Sequence, residues 1–382
     1  MTASLQIIAS RLSQIRKTLQ YSIEDVSKAT ELPLERLINI EAAQTRPSGD
    51  EVLILASLYD CDFRSLIDEK LPPPSELTDI LFRRYGAAFT ASDRRSIQEF
   101  LHICQTESSL ENLLQIRKNP FSSTPTGNFF KGHGEIAAKK LLNHLNPREI
   151  EVPHDIYAAF RSIGVHVFRQ RLTNSEVSGL YIEDPIAGHC VLINYNEDIY
   201  RQRFSVCHEV AHSIFDSSEN VMVTYDIRSS KFDQADFKEI RANSFASNFL
   251  MPQALLRRLP KIDENNVAHW AQVFRVSTAA LSKGLKDAKL IDSVTASKLR
   301  VIRVPPDDKI DPEAPENLSA SQRQRRLTLL ERGLSDYFVN LCFEAHYKRL
   351  ISTGRLAEVL RIHQSDLSEI GALFGRTVDH GV

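Results

Sequence analysis

The spacing of apolar residues changes along the chain, and each change marks an element. Leu5, Ile8, Leu12, Ile15 and Leu19 recur at steps of three and four, which predicts an amphipathic helix. Ser22 is placed to cap a second helix through Ala29, and Pro33 stands near the first position of a third that carries Leu34, Leu37, Ile38 and Glu41. Arg46-Pro47-Ser48-Gly49 breaks the pattern, and Val52, Leu55, Ala56 and Tyr59 resume it. Residues 1–70 therefore predict five short helices with a tight turn between the second and third, a helix-turn-helix layout. Leu71-Pro72-Pro73-Pro74-Ser75 is a stiff linker. Residues 76–117 return to helical spacing and carry no evident chemistry, and Asn119–Asn128 forms a second linker.

From about residue 130 the texture is mixed. Ile136–Leu145, Tyr200–Phe215 and Phe237–Leu250 have helical spacing. Val165–Phe168, Gly179–Ile182 and Val191–Ile193 are short β-rich runs bounded by turn residues. Residues 253–300 and 318–376 are helical again, separated by a third linker from Pro305 to Pro315. The expectation is an α+β chain. Its parts are an all-α helix-turn-helix domain (1–70), a helical connector (71–129), a central domain with a small sheet among helices (130–290) and a C-terminal helical region (291–382).

Composition adds constraints. A chain of 382 residues with 42% hydrophobic and 25% charged residues is ordinary for a globular protein of two or three domains. The net charge of −2 excludes a polycation as a whole. No apolar run approaches the ~20 residues of a membrane span, so no membrane partner is expected. Arg11, Arg16 and Lys17 among serines loosely mimic a transit peptide, but the apolar spacing there reads as a folded helix. The five cysteines are scattered with no CxxC pair, which points away from a disulfide framework and toward the cytoplasm.

One motif carries chemistry. Residues 208–212 read His-Glu-Val-Ala-His on a predicted helix. Positions i and i+4 share a face, so His208 and His212 can bind one metal ion, while Glu209 is offset toward a metal-bound water. This is the arrangement of zinc hydrolases, so Zn2+ is the expected cofactor. The surrounding Val206, Val210, Ala211, Ile214 and Phe215 bury the helix, where two unpaired histidines and a carboxylate would be costly. A third ligand is expected from Glu239, with Asp233 and Asp236 as rivals. Asn243, one turn after Glu239, is placed to hydrogen-bond a ligand histidine. The strand around Ser178–Tyr181 is a candidate to hold substrate backbone, and Tyr181, Tyr225 and His269 are candidate oxyanion donors.

Val177-Ser178-Gly179-Leu180, Ile193-Asn194, Arg203–His212, and Glu239-x-x-Ala242-Asn243-x-Phe245-Ala246 to Leu250-Met251-Pro252 together resemble the ImmA/IrrE metallopeptidases over about residues 130–290. The resemblance implies a gluzincin-like fold with His208, His212 and Glu239 on zinc and Glu209 as general base. It also implies cleavage of a regulatory protein, such as a helix-turn-helix repressor, in gene regulation or stress responses. Cys207 and Val210 depart from the family's usual residues at packing positions.

Residues 8–67 resemble an XRE-type helix-turn-helix domain through Arg11-Leu12-x-x-Ile15-Arg16, Ser22–Val26, Leu34-x-x-Leu37-x-x-Ile40-Glu41 and Arg46-Pro47-Ser48. That resemblance implies that Arg36 and Asn39 read bases while Arg16, Lys17 and Arg46 meet phosphates. Against DNA stand 8 basic and 11 acidic residues in 1–70, Glu35 on the reading helix, and Glu24 where the family usually has glutamine. Val273–Leu285 and Gly354–Leu367 also have helix-turn-helix cadence, read first as packing. Arg323, Arg325 and Arg326 read as a solvated face, and Cys342 with His346 as packing. The expected protein is a zinc endopeptidase that regulates expression, with a protein substrate, DNA as a second partner and a homodimer if a two-fold operator is read. The alternatives are a transcription factor whose zinc domain senses without cleaving, and a toxin or defence component held by an antitoxin.

Overall fold

The structure, a computed structural model, describes residues 4–86, 89–217, 221–225, 234–314 and 318–378, without the side chains of 224, 225 and 234–236. It is mixed α and β, with a four-stranded sheet among many helices. It divides into two compact units, residues 1–106 with 171–177, and residues 107–170 with 178–382.

The first unit opens with five helices, Leu5–Thr18, Ile23–Thr30, Leu34–Glu41, Gly49–Leu58 and Arg64–Ile67, and also holds Glu76–Tyr85 and most of Ala91–Leu113. The apolar stripes of the first five meet in one core of Ile8, Leu12, Ile15, Val26, Leu37, Ile40, Leu55 and Leu66. The ends are set by local chemistry. Ser22 with Asp25, and Ser48 with Glu51, form reciprocal capping boxes. Arg11 is buried and donates to the carbonyls of Ser65, Asp68 and Leu71, so one guanidinium closes the end of the fifth helix.

In the second unit, strands β1 (His166–Gln170), β2 (Val177–Asp184), β3 (Gly188–Asn194) and β4 (Val221–Tyr225) pair in the order β1-β3-β2-β4. β1 runs parallel to β3, and β2 and β3 form an antiparallel hairpin. β2 is therefore interior. It lies between β3 and β4 and is not an edge strand of the sheet, which goes against the expectation that Ser178–Tyr181 holds substrate as an added strand. β4 and the helix Ile156–Ser162 are elements that the apolar spacing did not announce.

Two helices flank the sheet at the site. Ile199–Phe215 holds the motif, and Gln234–Leu250 packs against it, with Ala242 and Ala246 both buried. A third helix, Phe130–Leu145, packs on the second, and Gly134 is needed there. A Cβ at 134 would stand 2.4 Å from the Arg241 carbonyl oxygen and 2.6 Å from the Phe245 nitrogen.

The stretch after Pro305, expected as a linker, is bound into the unit. Arg169 on β1 is fully buried and donates to both oxygens of Asp311 at 2.9 Å, to Glu313 and to Gln202 of the motif helix. Arg161 donates to the other Glu313 oxygen at 2.8 Å. Two buried cations thus meet two carboxylates that arrive from a proline-rich segment. A second buried network joins His166 to Glu107 at 2.7 Å, and Glu111 to Lys118 and Tyr337. Helices Ala320–Leu330, Asp336–Tyr347, Thr353–Leu360 and Leu367–Leu373 follow. Cys342 is buried, and His346 meets the Ile351 carbonyl at 3.3 Å, so both serve packing.

Candidate metal centre

The motif helix starts at Asp198, whose side chain caps the Tyr200 N–H. From Gln202 to Ser213 nearly every residue is buried, because one flank of the helix faces the sheet and the other faces Gln234–Leu250. The 3.6-residue turn then aims His208 and His212 the same way, and their Nε2 atoms stand 3.1 Å apart. Glu239 brings Oε2 to 3.1 Å from His208 Nε2 and Oε1 to 3.5 Å from His212 Nε2.

These distances bear on a cation. Zinc bonds of about 2.0–2.1 Å at tetrahedral angles separate neighbouring ligand atoms by about 3.3–3.4 Å. Two imidazole nitrogens and one carboxylate oxygen, all buried or half-buried and within 4.8 Å of one another, fit such an ion. The Glu239 side chain is 37% exposed while both histidines are buried, so the cluster opens to solvent on the Glu239 side.

The electrostatics favour positive charge here. Burial alone would lower the His212 pKa, but hydrogen bonds to Asp216 and Glu239 and the charge of Glu209 raise it to about 9. Burial would raise the Glu239 carboxyl, yet the two histidines hold it well below the usual carboxylate range.

Asp216 is the residue that sequence reasoning missed. Its Oδ2 lies 3.0 Å from His212 Nδ1, and its Oδ1 accepts from Arg241 at 2.5 Å. Arg241 is itself stacked 4.5 Å over the Phe215 ring. An acceptor on Nδ1 fixes the tautomer that leaves the Nε2 lone pair facing the centre. The signal was present in the chain, since Asp216 follows His212 by four residues, the same step that separates the two histidines. Asn243, expected in this supporting role, is instead exposed on the turn after Glu239, and among the described residues no hydrogen bond joins it to a motif histidine.

Glu209 is fully buried beside β2 and β3. A Cβ at Gly179 would stand 3.1 Å from Glu209 Cγ and 3.0 Å from the Leu192 carbonyl oxygen, so the missing side chain at 179 makes room for the glutamate. Of the candidate oxyanion donors, Tyr181 donates its hydroxyl to Glu183 and lies 3.0 Å from His189 Nδ1. His269 is exposed with its ring against Trp270. Asp233 and the side chains of Tyr225 and Asp236 lie outside the described residues.

The five residues expected to meet DNA all lie in the first unit, on or beside its helices. Arg36 makes a two-pronged pair with Glu51 at 2.8 Å and donates to the Arg46 carbonyl. Arg16 does the same with Glu41, at 2.7 and 2.8 Å, and also donates to the Tyr21 carbonyl. Asn39 is half-buried, and its carbonyl accepts from Gln44 and Thr45. Lys17 and Arg46 are exposed.

A sequence profile of the peptidase M78 family, described as an IrrE N-terminal-like domain, matches residues 160–286. This span contains β1 to β4, the motif helix and Glu239, and it supports a metallopeptidase-type function. No curated protein matches the chain. Among the described residues no helix is long and apolar enough to cross a membrane.

Proposed function

We propose that the chain is a zinc-dependent endopeptidase that cleaves a regulatory protein, such as a repressor, in the cytoplasm. The observation that carries this reading is the convergence of His208, His212 and Glu239 at ligand spacing with the buried Glu209 next to His208. Zinc, when bound, acidifies a water and polarises the scissile carbonyl. His208, His212 and Glu239 would hold the ion, and Asp216, itself held by Arg241, keeps the His212 ring oriented. Glu209 takes the proton of the attacking water and returns it to the departing amine, while its burial keeps bulk water from competing for that proton.

Residues 1–70 form the proposed XRE-type module, 71–129 the connector, 130–290 the peptidase and 291–382 a helical region. For the first of these the pairing of Arg36 and Arg16 favours docking to a protein, or self-association, over reading bases. The test compares newly formed protein N-termini in cells carrying wild type and Glu209→Gln at matched expression, with zinc measured in both proteins. Termini present only with wild type support the peptidase and name its substrate. Identical termini with zinc in both would favour a transcription factor whose metal domain senses and does not cut.

A further inference from the structure

We infer that residues 253–303 form the surface through which this chain binds duplex nucleic acid. The inference does not rest on the peptidase reading. This stretch holds ten basic residues (Arg257, Arg258, Lys261, Arg275, Lys283, Lys286, Lys289, Lys298, Arg300 and Arg303) against four acidic ones in a chain whose net charge is −2. All ten except Arg275 are exposed. Among the described residues none of these nine forms an ion pair, whereas Arg16 and Arg36 of the first unit are each bound by a glutamate. Two of the four acids are committed elsewhere. Asp287 pairs with Lys131 at 3.7 Å, and Asp292 caps the helix that starts at Ser293.

The backbone gives these cations a frame. Helices Val267–Phe274 and Thr278–Asp287 are joined by three residues, with Arg275 in the left-handed region (φ 53°) closing the first and Ser277 capping the second. This is a helix-turn-helix connection. Lys283 and Lys286 are neighbours one turn apart on the second helix, and Lys289 stands just past its C-cap in the left-handed region (φ 60°). Lys298 lies on the next helix, Arg300 at its C-cap and Arg303 in the irregular chain after it, and all three are exposed.

An anionic membrane is a poorer fit, because surface-seeking helices present aromatic anchors, and the exposed apolar residues of this stretch, Val273, Leu290, Val294 and Val301, include none. Here Phe274 is buried and Trp270 packs against the core. Phosphates need only cations at the right spacing, and this surface supplies them without the desolvation of a broken ion pair.

The test uses the full chain and a duplex of about 30 base pairs of arbitrary sequence, followed by fluorescence anisotropy across about 50–200 mM salt. The expected result is binding whose logarithmic salt slope becomes shallower by about 2.7 in the triple variant K283A/K286A/K289A, at about 0.9 per lost phosphate contact. Arg36→Ala is expected to leave the slope unchanged. All three lysines are exposed, and an unaltered melting temperature confirms that the variant is folded. Three results overturn the inference: a triple variant that binds like wild type, loss of binding by Arg36→Ala instead, and failure to bind the duplex. In that last case, binding to polyglutamate would assign the surface to an acidic protein, and binding to phosphatidylserine vesicles would assign it to a lipid face.

Discussion

The metal centre and the first five helices of the N-terminal unit both use helices to bring charged side chains together, and they do so to opposite ends. In the first, two imidazole nitrogens and a carboxylate converge at 3.1–3.5 Å, a spacing suited to a cation among them. In the second, Arg36 with Glu51 and Arg16 with Glu41 close on each other as two-pronged pairs that need nothing more. A run of residues that looks functional is thus distinguished by whether its charges answer one another inside the fold. Helix layout does not make that distinction, because it is recorded by apolar spacing alone.

The largest effect should come from Glu209→Gln. We expect peptide-bond cleavage to fall by about 10²–10⁴-fold with zinc content unchanged, read by product formation and elemental analysis. Retained cleavage would break the comparison at its stronger end. Next, Asp216→Asn should weaken metal binding by about 10–100-fold, measured by competition with a chelator. The N-terminal pairs should respond differently. Glu51→Ala removes both the Arg36 pair and the capping box on Ser48, and should cost about 1–2 kcal/mol in thermal unfolding while leaving metal affinity untouched. The smallest effect is in pH. Hydrogen bonding from Arg36, with Ser48, holds the Glu51 carboxyl down to about 2 from an ordinary 4.5. Its folded value lies below its unfolded one, so its stabilisation is complete above pH 4.5 and fades as pH falls toward 2. Glu51→Gln should remove that part of the acid-unfolding profile.

The candidate site was largely legible because its geometry is helical. A four-residue step places His208 and His212 on one face whatever the rest of the chain does, and small residues at 242 and 246 announced a close helix crossing. The same step would have identified Asp216. Asn243 was misplaced for a related reason, since sharing a face with Glu239 does not say how far that face turns from the histidines. Strand order was not legible at all. β2 reads equally well as an edge or an interior strand, and only the place of β4 beside it decides this. The Asp311–Glu313 contacts were hidden because proline-rich composition reports local stiffness and not what a segment touches.

That clamp has a consequence for how the chain can be cut. A fragment ending at residue 290 would carry every candidate metal ligand, yet it would lose Asp311 and Glu313, the carboxylates that pair directly with the buried Arg161 and Arg169. Leaving buried charges uncompensated costs about 3–5 kcal/mol per broken pair, comparable to the whole stability of many domains. The smallest autonomous piece of this protein that keeps its site should therefore extend at least through Ala314, well past where the catalytic chemistry itself ends.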